Sequence, residues 1–160
     1  MKTLDRGVAA LAGLCLVLAG TASAATEPHH AGHAHGPPAK LELDQGKRWV
    51  TDAPLRKGME ALRAAFAERV AAIHAGTLPA ADYKALGAKV EAEVATIVAE
   101  CKLEPKADAV LHVIVAELLG AAEVLHGKAP GTPAAGAHRA VTALHDYGRY
   151  FDPPQWQPLR

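Results

Sequence analysis

Beyond residue 24 the chain contains no serine, and over its whole length it has only two cysteines, two tryptophans, two phenylalanines and three tyrosines. The missing serine removes Ser-based nucleophilic catalysis from everything behind the leader, and no Gly-x-Ser-x-Gly elbow exists. Covalent haem attachment needs Cys-x-x-Cys-His, which is absent. An aromatic content of 4% leaves little with which to line a porphyrin, so no haem is expected. Charge of one sign is lacking too: 17 basic residues stand against 17 acidic ones. Such a chain has no electrostatic pull on nucleic acid or on a membrane surface. Its apolar run from Val8 to Gly20 is too short to span a bilayer comfortably.

What stands at the start is an export signal. Lys2 and Arg6 form a short basic opening, Val8 to Gly20 is apolar, and Ala22-Ser23-Ala24 offers small residues to a signal peptidase. Cleavage is expected between Ala24 and Ala25, which places the protein in the periplasm. Cys15 follows Leu14 inside the apolar run, the wrong setting for a lipid anchor, so no membrane anchor is expected after cleavage. Without residues 1 to 24 there remain 136 residues, 15 basic and 16 acidic, with a formal charge of −1. That length suits one domain with a single modest core. Cys101 then becomes the one thiol in a compartment where disulfides form readily.

Residues 25 to 40 are His, Gly, Pro and Ala with almost nothing to bury, the composition of a disordered tail. The domain is expected over residues 41 to 160. Alanine richness and few β-branched runs favour helix over sheet. Thr51 and Asp52 are cap candidates, with Pro54 in the first turn. Four segments with apolar residues three and four apart then follow. The first spans about Pro54 to His74, on Leu55, Met59, Leu62, Phe66, Val70 and Ile73, and Gly76 closes it. A second runs from near Pro79 to before Pro105, on Tyr83, Leu86, Val90, Val94, Ile97 and Cys101. The third covers about Lys106 to His126, on Leu111, Val115, Leu118, Ala122 and Leu125. Thr132 and Pro133 open the fourth, which uses Ala137, Val141, Leu144 and Tyr147 or Gly148 and reaches Phe151. Short connections make neighbours antiparallel. The expected fold is therefore all-α: an antiparallel, up-down-up-down four-helix bundle behind a disordered N-terminal tail.

Two sets of metal donors emerge. His29, His30, His33 and His35 put four imidazoles within seven residues, on a segment able to fold around Cu(II), Zn(II) or Ni(II). The bland reading is a solvated tail that takes up divalent ions adventitiously. In the up-down arrangement Met59, Cys101, His112 and His145 gather at one pole, which Trp49, Tyr150 and Trp156 cover; His74, His126, His138 and Tyr83 belong to the other. Thiolate, thioether and imidazole together suit copper. Against this, Cys101 follows Ile97 by four residues and Met59 follows Leu55 by four, the spacing of ordinary core residues. His112 and His145 flank their stripes, as histidines bonded to a carbonyl or carboxylate do. A bridging iron site would need Glu-x-x-His on two helices, a pair this chain does not have.

Three stretches carry a resemblance. Leu43-Asp44-Gln45-Gly46-Lys47-Arg48-Trp49-Val50-Thr51-Asp52-Ala53-Pro54-Leu55-Arg56-Lys57-Gly58-Met59, Cys101-Lys102-Leu103-Glu104-Pro105-Lys106-Ala107-Asp108-Ala109-Val110-Leu111-His112 and Tyr147-Gly148-Arg149-Tyr150-Phe151-Asp152-Pro153-Pro154-Gln155-Trp156 resemble the landmarks of a small family of exported bacterial proteins of the DnrO type. The resemblance implies a signal peptide, a His-rich tail, a helical domain and no established activity. All three stretches fall at the Cys101 pole. Two functions follow as expectations. The first is periplasmic metal binding or buffering, copper favoured, without excluding zinc or nickel. The alternative is a metal-independent module that pairs with another envelope protein through the aromatic pole. No residue set supports an enzyme.

Overall fold

Asp52, Glu104 and Thr132 each precede a proline by one or two residues, and each starts a helix. Asp52 Oδ1 accepts from the Leu55 N–H at 2.9 Å, Glu104 Oε1 from the Lys106 N–H at 3.3 Å, and Thr132 Oγ1 from the Ala135 N–H at 3.2 Å. These side chains satisfy amide donors that the first helical turn leaves without partners, and proline fits there because it has no N–H to lose. The computed structural model describes residues 40–160. Among them are five helices and no strand: α1 (Ala53–Ala67), α2 (Val70–Ala75), α3 (Ala80–Glu100), α4 (Pro105–Leu125) and α5 (Pro133–Tyr150). Gly76, at φ 65°, closes α2, and Gly127, at φ 72°, follows α4; both adopt the left-handed conformation that costs glycine nothing. No described helix is long and apolar enough to cross a membrane. The expected signal peptide and the tail histidines His29, His30, His33 and His35 lie outside the described residues.

The expected first helix is two. At Arg69 the backbone leaves the helical region, with φ −122° and ψ −4°. Its N–H bonds Phe66 O at 3.0 Å instead of the carbonyl four residues back, and its own guanidinium Nη1 takes over Ala65 O at 3.1 Å. The side chain thus repairs the bond that the backbone gives up. Periodicity could not reveal this break, because the apolar spacing runs straight through it, with Phe66 and Ile73 buried on either side.

Burial follows the apolar spacing elsewhere. Leu55, Met59, Leu62 and Phe66 of α1 are fully buried, as are Val90 of α3, Leu118 of α4 and Leu144 and Tyr147 of α5. α3 packs against α1 and α4, while α5 packs chiefly on α4 and also touches α2, α3 and α1. Two neighbours explain why α4 buries more than its expected stripe: Val110, Ile114, Ala121 and Val124 join Leu111, Val115, Leu118, Ala122 and Leu125. Gly136 lets α5 approach α4 closely, since a Cβ there would stand 3.1 Å from Ala121 O and from Leu125 N.

The segments flanking the helices close one end. Asp44 and Lys47 exchange two 2.8 Å backbone bonds around Gln45 (φ 50°) and Gly46 (φ 85°), a tight turn with both central residues at positive φ. Trp49 then lies against the end of α5: its N–H donates to Tyr150 O at 2.8 Å, its carbonyl accepts from Asp152 N–H at 2.9 Å, and its indole N–H donates to Glu42 O at 2.7 Å. Arg48 adds an ion pair with Asp152. The last residues return along α5, where Trp156 meets Tyr147 edge-on at 4.8 Å and Leu159 is buried. Gly148 makes room for that indole: a Cβ would stand 2.4 Å from Trp156 Nε1. Gly148→Ala should therefore expel Trp156 without unwinding α5, because alanine favours helix by about 1 kcal/mol over glycine. A red shift of tryptophan emission with unchanged far-ultraviolet circular dichroism is the expected result; unaltered emission would show that the indole does not depend on this gap.

Candidate functional site at the Cys101 pole

Asp52 does more than cap α1. While Oδ1 holds the Leu55 N–H, Oδ2 accepts from the Lys102 N–H at 2.6 Å, and the Cys101 thiol donates to Oδ1 at 3.5 Å. One carboxylate therefore joins the start of α1 to the turn between α3 and α4. α3 ends there because Cys101 turns extended, at ψ 138°, while its N–H still bonds Ile97 O at 2.9 Å. One turn into α1, the Arg56 guanidinium donates to Thr51 O and to Thr51 Oγ1, the latter at 3.3 Å, which holds the buried Thr51 in place. Burial pushes the Asp52 carboxyl up, but the N–H groups of Lys102 and Leu55, the thiol and the Arg56 charge outweigh it, and its pKa is lowered. The same arrangement works against the thiol. Burial, then the negative charge and hydrogen bond of Asp52, then the charge of Asp108, push Cys101 up to about 12. Half-buried Cys101 is thus a protonated thiol at neutral pH, unlike the low-pKa thiolates of reactive cysteines.

Asp108 and His112 face the thiol from α4. The His112 Nδ1 lies 2.8 Å from Asp108 O and 3.4 Å from Asp108 Oδ2. A carbonyl oxygen can only accept, so Nδ1 carries the proton and Nε2 keeps its lone pair in the neutral ring. That is how metal-binding imidazoles are commonly oriented. Cys101, Asp108 and His112 line one cleft of about 250 Å³, with Ile97, Val98, Leu111 and Val115 as its apolar walls.

The other ordered candidates lie elsewhere. Met59 is fully buried in the core. His145 donates from Nε2 to Leu159 O at 3.1 Å and lines a separate cleft with Arg48, Arg149 and Trp156. Of the four, the structure brings Cys101 and His112 to one cleft and leaves Met59 and His145 outside it. No three His, Cys, Asp or Glu side chains converge as a metal site among the described residues. Sequence reasoning saw Asp52 only as a cap and missed Asp108, although an Asp four residues before a His on a helix is a legible pair. Tyr147 stands at the same pole with its hydroxyl buried and unpartnered among the described residues. Its pKa is raised, first by burial; Arg56 opposes that shift, and Asp52, Cys101 and Glu60 reinforce it.

Two expectations follow. Because the Asp52 pKa is lower folded than unfolded, its ion contributes stability that is present above the ordinary carboxylate range and lost as pH falls below that range through its own lowered pKa. Asp52→Ala should cost about 1 to 3 kcal/mol at pH 7, and Asp52→Asn, which keeps a cap, should flatten the acid limb of stability below about pH 5 in urea titrations. An acid limb identical to wild type would remove Asp52 from that role. Alkylation of Cys101 by iodoacetamide should be slower at pH 8 than that of a free cysteine, still rising at pH 10, and faster in Asp52→Asn. A rate profile with its midpoint near pH 8.5 would show an ordinary thiol.

Compared with protein-family models, with curated proteins and with solved structures, the chain matches none.

Proposed function

We propose that this protein is an exported, periplasmic metal-binding or metal-buffering protein, copper favoured, in which His29, His30, His33 and His35 capture ions and the helical domain offers Cys101 and His112 as a donor pair. The observation that carries the domain half is the orientation of His112. With Nδ1–H on Asp108 O, Nε2 keeps its lone pair, and His112 lines the same cleft as Cys101. A thiolate with an imidazole is a soft, low-coordinate donor set suited to Cu(I). Binding must displace the thiol proton, so affinity rises with pH. Met59 and His145 serve packing and the C-terminal segment in this reading. The proposal includes cleavage between Ala24 and Ala25, membership of the DnrO-type family, and an up-down-up-down bundle in which α2 prolongs α1. The last is supported by Gly58 of α1 lying on Ile97 of α3, by Gly87 of α3 lying on His126 after α4, and by Gly136 of α5 lying on Leu125 of α4.

A second reading has its own observation. Val50 is 82% exposed and Leu43 40% exposed beside the Trp49 pole, an apolar margin that a metal-independent module would offer to another envelope protein. Competition for Cu(I) against a chromogenic chelator separates the two. The chain with all four tail histidines changed to alanine should retain Cu(I), adding Cys101→Ala should abolish it, and His112→Ala should weaken it by about tenfold or more. If the fourfold variant binds no Cu(I), the domain half fails. If wild type also binds neither Cu(I) nor Cu(II), the interaction reading replaces the metal one.

A further inference from the structure

Five histidines are described, and three of them stand beside an acceptor. His112 is held by Asp108, His145 by Leu159 O, and His126 Nε2 lies 3.3 Å from Glu91 Oε2. His74 of α2 and His138 of α5 differ: among the described residues neither ring makes a hydrogen bond or an ion pair, and both side chains are exposed. These two lie against each other. Their ring centroids are 5.4 Å apart and their planes differ by 6°. We propose that His74 and His138 form a second metal site, a two-imidazole chelate for a borderline divalent cation such as Cu(II), Ni(II) or Zn(II), at the α2–α5 seam.

Two neutral imidazole rings stack in this way and keep one lone pair each for an ion. A single ion with bonds of about 2.0 to 2.1 Å holds two nitrogens up to about 4 Å apart. Parallel rings hold their lone pairs in separate planes, so both exposed side chains must turn to bring the two nitrogens onto one ion. Water completes the coordination, so the site is open and exchangeable, unlike a closed structural zinc site. Its placement gives it a structural consequence. α2 is six residues long, its N-cap Arg69 makes no side-chain cap bond, and Ile73 is its buried anchor. A helix that short is not stable alone. An ion shared with α5 clamps it to the rest of the domain.

This site does not rest on the tail or on Cys101, and the test keeps it apart from both. In the full chain with His29, His30, His33 and His35 changed to alanine, Cu(II) titration should show one equivalent bound, with two nitrogens coupled in the electron paramagnetic resonance spectrum. Cu(II) should also raise the melting temperature. Either His74→Ala or His138→Ala in that background should weaken binding by about a hundredfold, because one arm of a chelate is lost, while His112→Ala should not. Neither substitution touches a buried residue, so folding is preserved. Absence of bound Cu(II) in the fourfold variant overturns this inference while leaving tail capture standing if wild type binds. Binding that survives both single substitutions also overturns it. If wild type and the fourfold variant bind the same single equivalent, and it is lost with His74, the site is upheld and tail capture fails.

Discussion

The Cys101 pole depends on one carboxylate. Asp52 accepts two backbone N–H groups from different helical segments, Leu55 in α1 and Lys102 after α3, and takes the Cys101 thiol as a third donor. An ionised acceptor is well suited to this, since charge-assisted bonds are stronger than neutral ones. The neighbouring structure is built outwards from it. Thr51 is held by Arg56, Trp49 lies against the end of α5, and Asp108 and His112 begin α4 beside the thiol. A change at Asp52 therefore reaches both α1 and the turn between α3 and α4.

The same carboxylate decides what the pole can do. It is stabilised as an ion by the groups it collects, and that charge opposes a second one on Cys101 a few ångströms away. A protonated, half-buried thiol resists oxidation and exchange better than a thiolate would. A metal cation reverses the balance, because it attracts both the carboxylate and the thiolate and expels the proton. Structural economy and the proposed copper chemistry are in this way the same electrostatic fact seen without and with a cation.

The chain's histidines divide along similar lines. Those with one ring nitrogen committed to a carbonyl, His112 and His145, are fixed in tautomer and direction. His74 and His138 are exposed and adjacent, and among the described residues their rings are uncommitted. Orientation comes from a neighbouring acceptor and availability from the lack of one, so ordered histidines of one chain play different parts. Residue type alone does not distinguish them.

Much of the fold could be read in the chain itself. The Asp52, Thr132 and Pro signals, the left-handed glycines Gly76 and Gly127, and apolar residues at helical spacing identify where helices start, stop and bury themselves, because capping and amphipathicity are local properties. Tertiary structure decided the rest. Arg69 splits the first segment through a backbone conformation that leaves the apolar spacing intact. The wide burial of α4 follows from its having a neighbour on both sides. Cys101 and His112 share a cleft while Met59 and His145 do not, since a difference of one turn or one face along a helix moves a donor by several ångströms. The reach of Asp52 to Lys102, 50 residues away, and the meeting of His74 with His138 depend on which helices come to lie side by side. Local spacing sets the elements, but only packing sets which side chains meet.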